Sequence, residues 1–153
     1  MCLLVVDKNK KILSLKRKQT LREAVVEYTH FSDKPKLVYK YFEIVIDDKG
    51  FLCMKTPYRG FEVSMYGDVI TRKGDFGLRK TIINDIIIEG GIHGYSKKIV
   101  WNSPFQKLHD YVCLECYIPP HIPFVYGQAY DIVSMQLIVP PVSKYQIKKF
   151  YKK

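Results

Sequence analysis

Cys113-Leu114-Glu115-Cys116 is a CxxC, and with His109 and His121 nearby it has the residue types of a tetrahedral zinc site. The local pattern argues against that use. Residues 111–118 read as a strand, so side chains three apart point to opposite faces and cannot chelate one ion. No Gly, Asn or Pro inside the motif supplies a tight turn. Structural cysteines are therefore expected, with no metal and no cofactor assigned. Glu89-Gly90-Gly91-Ile92-His93-Gly94-Tyr95 is the most unusual local stretch, with three glycines in five residues. Such a run permits positive φ and can present backbone amides to phosphate. No Walker Lys-Ser/Thr follows it, and GGxxG is no dinucleotide fingerprint. A pocket combining Tyr58 and Arg59 with Gly91, His93 and Tyr95 is the place for a small ligand, with His93 as general base or phosphate ligand. The plainer reading of His93 is a hydrogen-bonded structural histidine beside a bulge.

Other chemistry finds no support. No serine or cysteine lies in a nucleophile context such as GxSxG. Asp47-Asp48 reads as turn residues bonding their own backbone, and Glu62, Asp68 and Asp85 are scattered. No catalytic residue is assigned, and a non-enzymatic role is expected.

The charge is more telling. Residues 1–40 hold ten Lys or Arg against four acids, residues 141–153 hold five Lys against none, and residues 41–140 are nearly neutral with ten against eleven. Lys8, Lys10, Lys11, Lys16, Arg17, Lys18 and Arg22 are dense enough to neutralise several phosphates if they share a face. Lys144, Lys148, Lys149, Lys152 and Lys153 alternate with Tyr145, Phe150 and Tyr151, which could stack on exposed bases. This points to a polyanionic partner, a nucleic acid or ribonucleoprotein first, with an acidic protein or a membrane surface as alternatives. A solubilising surface is the plainer reading.

These residues must be positioned by a mostly β framework. The chain has 153 residues, 47% hydrophobic and 14% aromatic, enough for one core without disulfide staples. Twelve Tyr and eight Phe, with many Ile and Val, favour strands. Strands are predicted at residues 2–6, 12–15, 37–46, 51–54, 61–64, 81–88, 111–118 and 132–139. Thr20-Leu21-Arg22-Glu23 has the form of a capping box and predicts a helix over 21–30. Ser103-Pro104 predicts a second near 104–110, and residues 143–153 form a basic tail or short helix. The expected fold is a single α+β domain over 1–153, with a mostly antiparallel, twisted sheet that could close into a barrel-like form. Four irregularly spaced cysteines, no signal peptide pattern and no apolar run near ~20 residues predict an intracellular, reducing setting and no membrane span.

Met1-Cys2, Val38-Tyr39-Lys40 before Thr56-Pro57-Tyr58, the stretch Glu89 to Tyr95, and Cys116-Tyr117-Ile118-Pro119 before Ser134 occur in that order. Together they resemble a small family of uncharacterised proteins from phages, some bacteria and large DNA viruses, with the pattern MC…YK…SPY…GFHSY…CxIP…S. The chain departs from it at Thr56, Ile92 and Gly94. The resemblance implies a viral or phage accessory protein, in host cytoplasm or virion, and implies no activity. Two further functions follow from the residues: an assembly protein packing a tyrosine-rich surface against a partner, and a small-nucleotide-binding protein using the Gly90–Gly94 loop.

Overall fold

The structure is a computed structural model and describes residues 3–7, 9–56, 60–74, 76–98 and 110–146. Thr20 begins α1 (Leu21–Tyr28), the one helix longer than a single turn among the described residues: its hydroxyl accepts from the Glu23 amide at 3.2 Å and its carbonyl from Ala24 at 3.1 Å. This satisfies amides that the first turn leaves orphaned. The helix stops two residues before the predicted end. His30 is drawn into an antiparallel bridge with Phe124, with bonds of 2.8 and 3.0 Å, and that pairing needs extended backbone.

The rest is strand. In chain order these are β1 (Leu3–Val6), β2 (Lys36–Ile46), β3 (Leu52–Lys55), β4 (Glu62–Val63), β5 (Asp68–Thr71), β6 (Leu78–Lys80), β7 (Ile86–Ile88), β8 (Ile92–Tyr95), β9 (Asp110–Ile118), β10 (Phe124–Gly127), β11 (Asp131–Ser134) and β12 (Gln136–Val139). Every pairing is antiparallel, and they form one sheet in the order β5-β12-β9-β2-β8-β11-β10-β1-β7-β6, with β3 and β4 branching from β2. The sheet does not close into a barrel, because β5 and β6 remain its two ends. A helical turn at 144–146 follows the last strand. Among the described residues no helix is long and apolar enough to cross a membrane.

Several expectations are corrected. The run 81–88 is a strand only at its end, β7: residues 81–85 form the turn that joins it to β6, which precedes the run, because Asn84 takes φ +66° and breaks the extended chain. The run 132–139 divides at Met135, where the chain passes from the β8 and β10 ladders to those of β5 and β9. Residues 12–15 contribute two isolated bridges, Val6↔Ile12 and Ser14↔Asp85, in place of a strand. The glycine stretch 90–95, expected as a loop, is mostly β8. The helix near 104–110 lies outside the described residues except Asp110, which opens β9.

Two apolar cores lie against opposite faces. Val38, Phe42, Ile44, Met54, Ile92, Leu114 and Cys116 belong to the first, and Val5, Ala24, Phe76, Ile86, Ile88 and Val125 to the second. Burying each such larger side chain is worth roughly 1.5–3 kcal/mol. Successive side chains of a strand face opposite ways, so Ile132 enters the first core and Val133 the second. That is why all four positions of β11 are buried.

Candidate functional site

β2 is the longest strand, paired with β9 from Lys36↔Ile118 to Ile44↔Asp110. Its other edge is shared. β8 meets it at Tyr39↔Tyr95, and β3 joins from Glu43↔Lys55 to Ile46↔Leu52. Residues 40–42 lie between the two ladders, and there a cavity of about 420 Å³ opens, within the range of small-ligand sites. Lys40 and Tyr41 line it from β2, Phe61 to Val63 from around β4, Asp68 to Arg72 from β5, Gly91 to Tyr95 from the β8 segment, and Asp131 from β11.

Lys40 sits at an inward position of β2, in step with Val38, Phe42 and Ile44 of the first core. Its amine donates to the His93 carbonyl and lies 5.8 Å from the Phe42 ring centroid. Burial lowers its pKa to about 8. The Cys116 thiol opposes that shift and the Arg72 charge adds to it, so the two cations of the cavity are electrostatic neighbours. Arg72 stacks on the Phe61 ring at 4.5 Å. Neither Lys40 nor Arg72 makes an ion pair among the described residues.

Two of the acids lining the cavity are already engaged. The Asp68 carboxylate accepts from the amides of Ser64 at 3.1 Å and Val69 at 2.8 Å, and Glu89 pairs with Arg79 at 2.9 Å. Glu62 is exposed. Asp131 is only 8% exposed, and burial pushes its pKa up to about 6. The site thus holds two cations without an ion-pair partner among the described residues, one buried carboxyl group, and apolar and aromatic walls.

Gly91, His93 and Tyr95, expected to share a pocket, do line this one, and Nδ1 of His93 is buried. Tyr58 and Arg59 lie outside the described residues. The glycines serve packing: a Cβ at Gly91 would lie 2.5 Å from Val133 Cγ1, and one at Gly94 would lie 2.3 Å from Val38 Cγ1. Lys40, Arg72 and Asp131 were not anticipated. A signal existed for Lys40, a lone cation at inward parity within the apolar run 37–46.

The N-terminal cations are dispersed. Lys10 Nζ lies 3.2 Å from the Tyr130 ring centroid, with Lys97 at 4.5 Å, and Lys10, by hydrogen bond and charge, leads in holding that phenol below its usual range. Lys16 pairs with Glu27 at 2.8 Å. Lys11, Arg17, Lys18, Arg22 and Lys144 are exposed. Lys8, Lys148, Lys149, Lys152 and Lys153 lie outside the described residues.

Strand β9 puts Cys113 and Cys116 on opposite faces, as their spacing predicted. Burial raises all three described thiols, Cys116 to about 12, so they stay protonated and unreactive. Among the described residues no three His, Cys, Asp or Glu side chains gather as for a metal ion. No protein-family model matches the chain, and no match is found among curated proteins or solved structures.

Proposed function

We propose that the protein binds a small organic anion in the cavity beside β2, with a nucleoside monophosphate as the class that fits best. One observation carries this: Lys40 and Arg72 line the same 420 Å³ space and neither has a carboxylate partner among the described residues. Burying a cation without a counter-charge is costly, and an anionic ligand would offset that cost. Phe61, Ile92 and Tyr95 offer walls for a flat ring, and Asp131 an acceptor for a hydroxyl or amino group. Binding, without chemistry, is the role these groups support.

Calorimetric titration with AMP, UMP and inorganic phosphate tests the reading. At least one nucleotide binds at pH 7, affinity falls as pH rises through 8 and Lys40 loses its proton, and Lys40→Met abolishes binding. No heat from any of the three, or binding indifferent to Lys40→Met, would sink it.

The exposure of Arg17, Lys18, Arg22 and Lys144 supports a second reading, contact with a nucleic acid or ribonucleoprotein in the phage or viral setting that the family resemblance implies. Retention on RNA that falls steeply with salt would be its mark.

A further inference from the structure

The turn between β6 and β7 carries two adjacent isoleucines at its crest, Ile82 at 103% and Ile83 at 75% exposure. Ile82 buries nothing within its own fold, and Ile83 leaves most of its surface outside it. Yet the turn is braced. Thr81 N donates to Asp85 O at 2.9 Å, Asn84 N to Thr81 O at 3.0 Å and Asp85 N to Thr81 Oγ1 at 3.1 Å. From the neighbouring segment Ser14 Oγ donates to Asp85 Oδ1 at 2.6 Å, and Leu15 N to Asn84 O at 2.8 Å. Two large apolar side chains are thus held outward on a fixed support.

Exposed cations lie on the segments adjoining this crest. Just beyond Leu15 the chain turns through Arg17 and Lys18, closed by a bond of 3.0 Å from Gln19 N to Lys16 O. Lys80 leads into the crest from β6, and Arg22 stands on α1, which packs beside β6. These four are exposed and make no ion pair among the described residues; Lys16 and Arg79 are engaged by Glu27 and Glu89. The nearby acids are Asp85, bonded to Ser14, and Glu23 on the exposed side of α1.

A polynucleotide would use the cations and leave the isoleucines without a role. An anionic bilayer surface uses both: its headgroups attract lysine and arginine, and the boundary of its acyl region takes short apolar side chains. Either signal alone gives marginal attachment, and the two together give stable attachment. We propose that the β6–β7 tip docks on an anionic lipid surface, with Ile82 and Ile83 inserted between headgroups and Arg17, Lys18, Arg22 and Lys80 set over lipid phosphates.

Co-sedimentation of the full chain with vesicles of phosphatidylcholine, alone or mixed with phosphatidylserine, tests this. Partitioning onto the mixed vesicles is at least about tenfold stronger than onto neutral ones. The double change Ile82→Ser and Ile83→Ser lowers it about tenfold, and Lys80→Ser about fivefold. Ile83→Trp shifts its emission to the blue when mixed vesicles are added. Equal partitioning of the double serine variant and the wild type overturns the proposal. So does an absence of vesicle binding together with RNA binding that the isoleucine changes leave intact, which would assign the cations to nucleic acid.

Discussion

The cavity beside β2 and the tip between β6 and β7 are built from the same residue types with their positions inverted. In the cavity, Lys40 and Asp131 are withdrawn from water among apolar walls, and both pKa values move toward the neutral form. At the tip, Ile82 and Ile83 stand in water among charged neighbours. Strand alternation makes the first arrangement, since Lys40 shares parity with Val38 and Phe42; a turn makes the second, since Thr81–Asp85 has left the ladder. Concave and convex regions should therefore answer to substitution in opposite ways: at the first, changes alter stability, and at the second they leave it alone.

The largest effect belongs to the cavity floor. Gly94→Ala places a methyl group against Val38 Cγ1 and 3.2 Å from the Tyr39 carbonyl oxygen, and should cost roughly 3 kcal/mol in urea unfolding because both neighbours are fixed in the sheet. A cost below ~1 kcal/mol would mean that β8 and β2 separate easily, and the contrast would fail.

Asp131→Asn comes next and has the opposite sign. The folded-state pKa of Asp131 is about 6 against an ordinary 3.8, so the native state holds that proton more tightly than the unfolded chain does. Below pH 4 the group adds no penalty. The penalty grows as pH rises from 4 to 6 and then stays constant. At pH 7 the asparagine variant should be more stable by about 2 kcal/mol, allowing roughly 1 kcal/mol for the newly buried amide. At pH 4 that gain should vanish. Stability curves of both proteins over pH 4–7 that stay parallel would show the carboxyl group to be solvated.

The smallest effect sharpens the contrast by its absence. Ile82→Ser with Ile83→Ser should change unfolding stability by less than ~0.5 kcal/mol, because both side chains are mostly exposed. A larger loss would mean that the tip contributes to the second core.

Much of the frame was legible in the residues. The run 37–46 gave β2 within one residue, the capping pattern after Thr20 gave the start of α1, and the CxxC was placed on a strand that separates its thiols. What escaped depends on contacts distant in sequence. β8 was taken for a loop because glycine usually weakens strands, whereas here Gly91 and Gly94 make room for Val133 and Val38. The run from Thr81 looked like one strand because its β-branched residues outweighed Asn84-Asp85, a turn signal present in the sequence. Lys40, Arg72 and Asp131 come from three separate strand segments, and only the tertiary fold brings them to one space.

The two glycine notches also act as keys for register. A strand buried on both faces, as β11 is, has no alternation of wet and dry positions with which to resist slipping one residue along its partner, and β2 meets β8 at the single Tyr39↔Tyr95 pair. Val133 fits only where Gly91 leaves a gap, and Val38 only where Gly94 does. A slip at either seam would drive a side chain into backbone, so shape performs the alignment that hydrophobic patterning performs in sheets with one wet face.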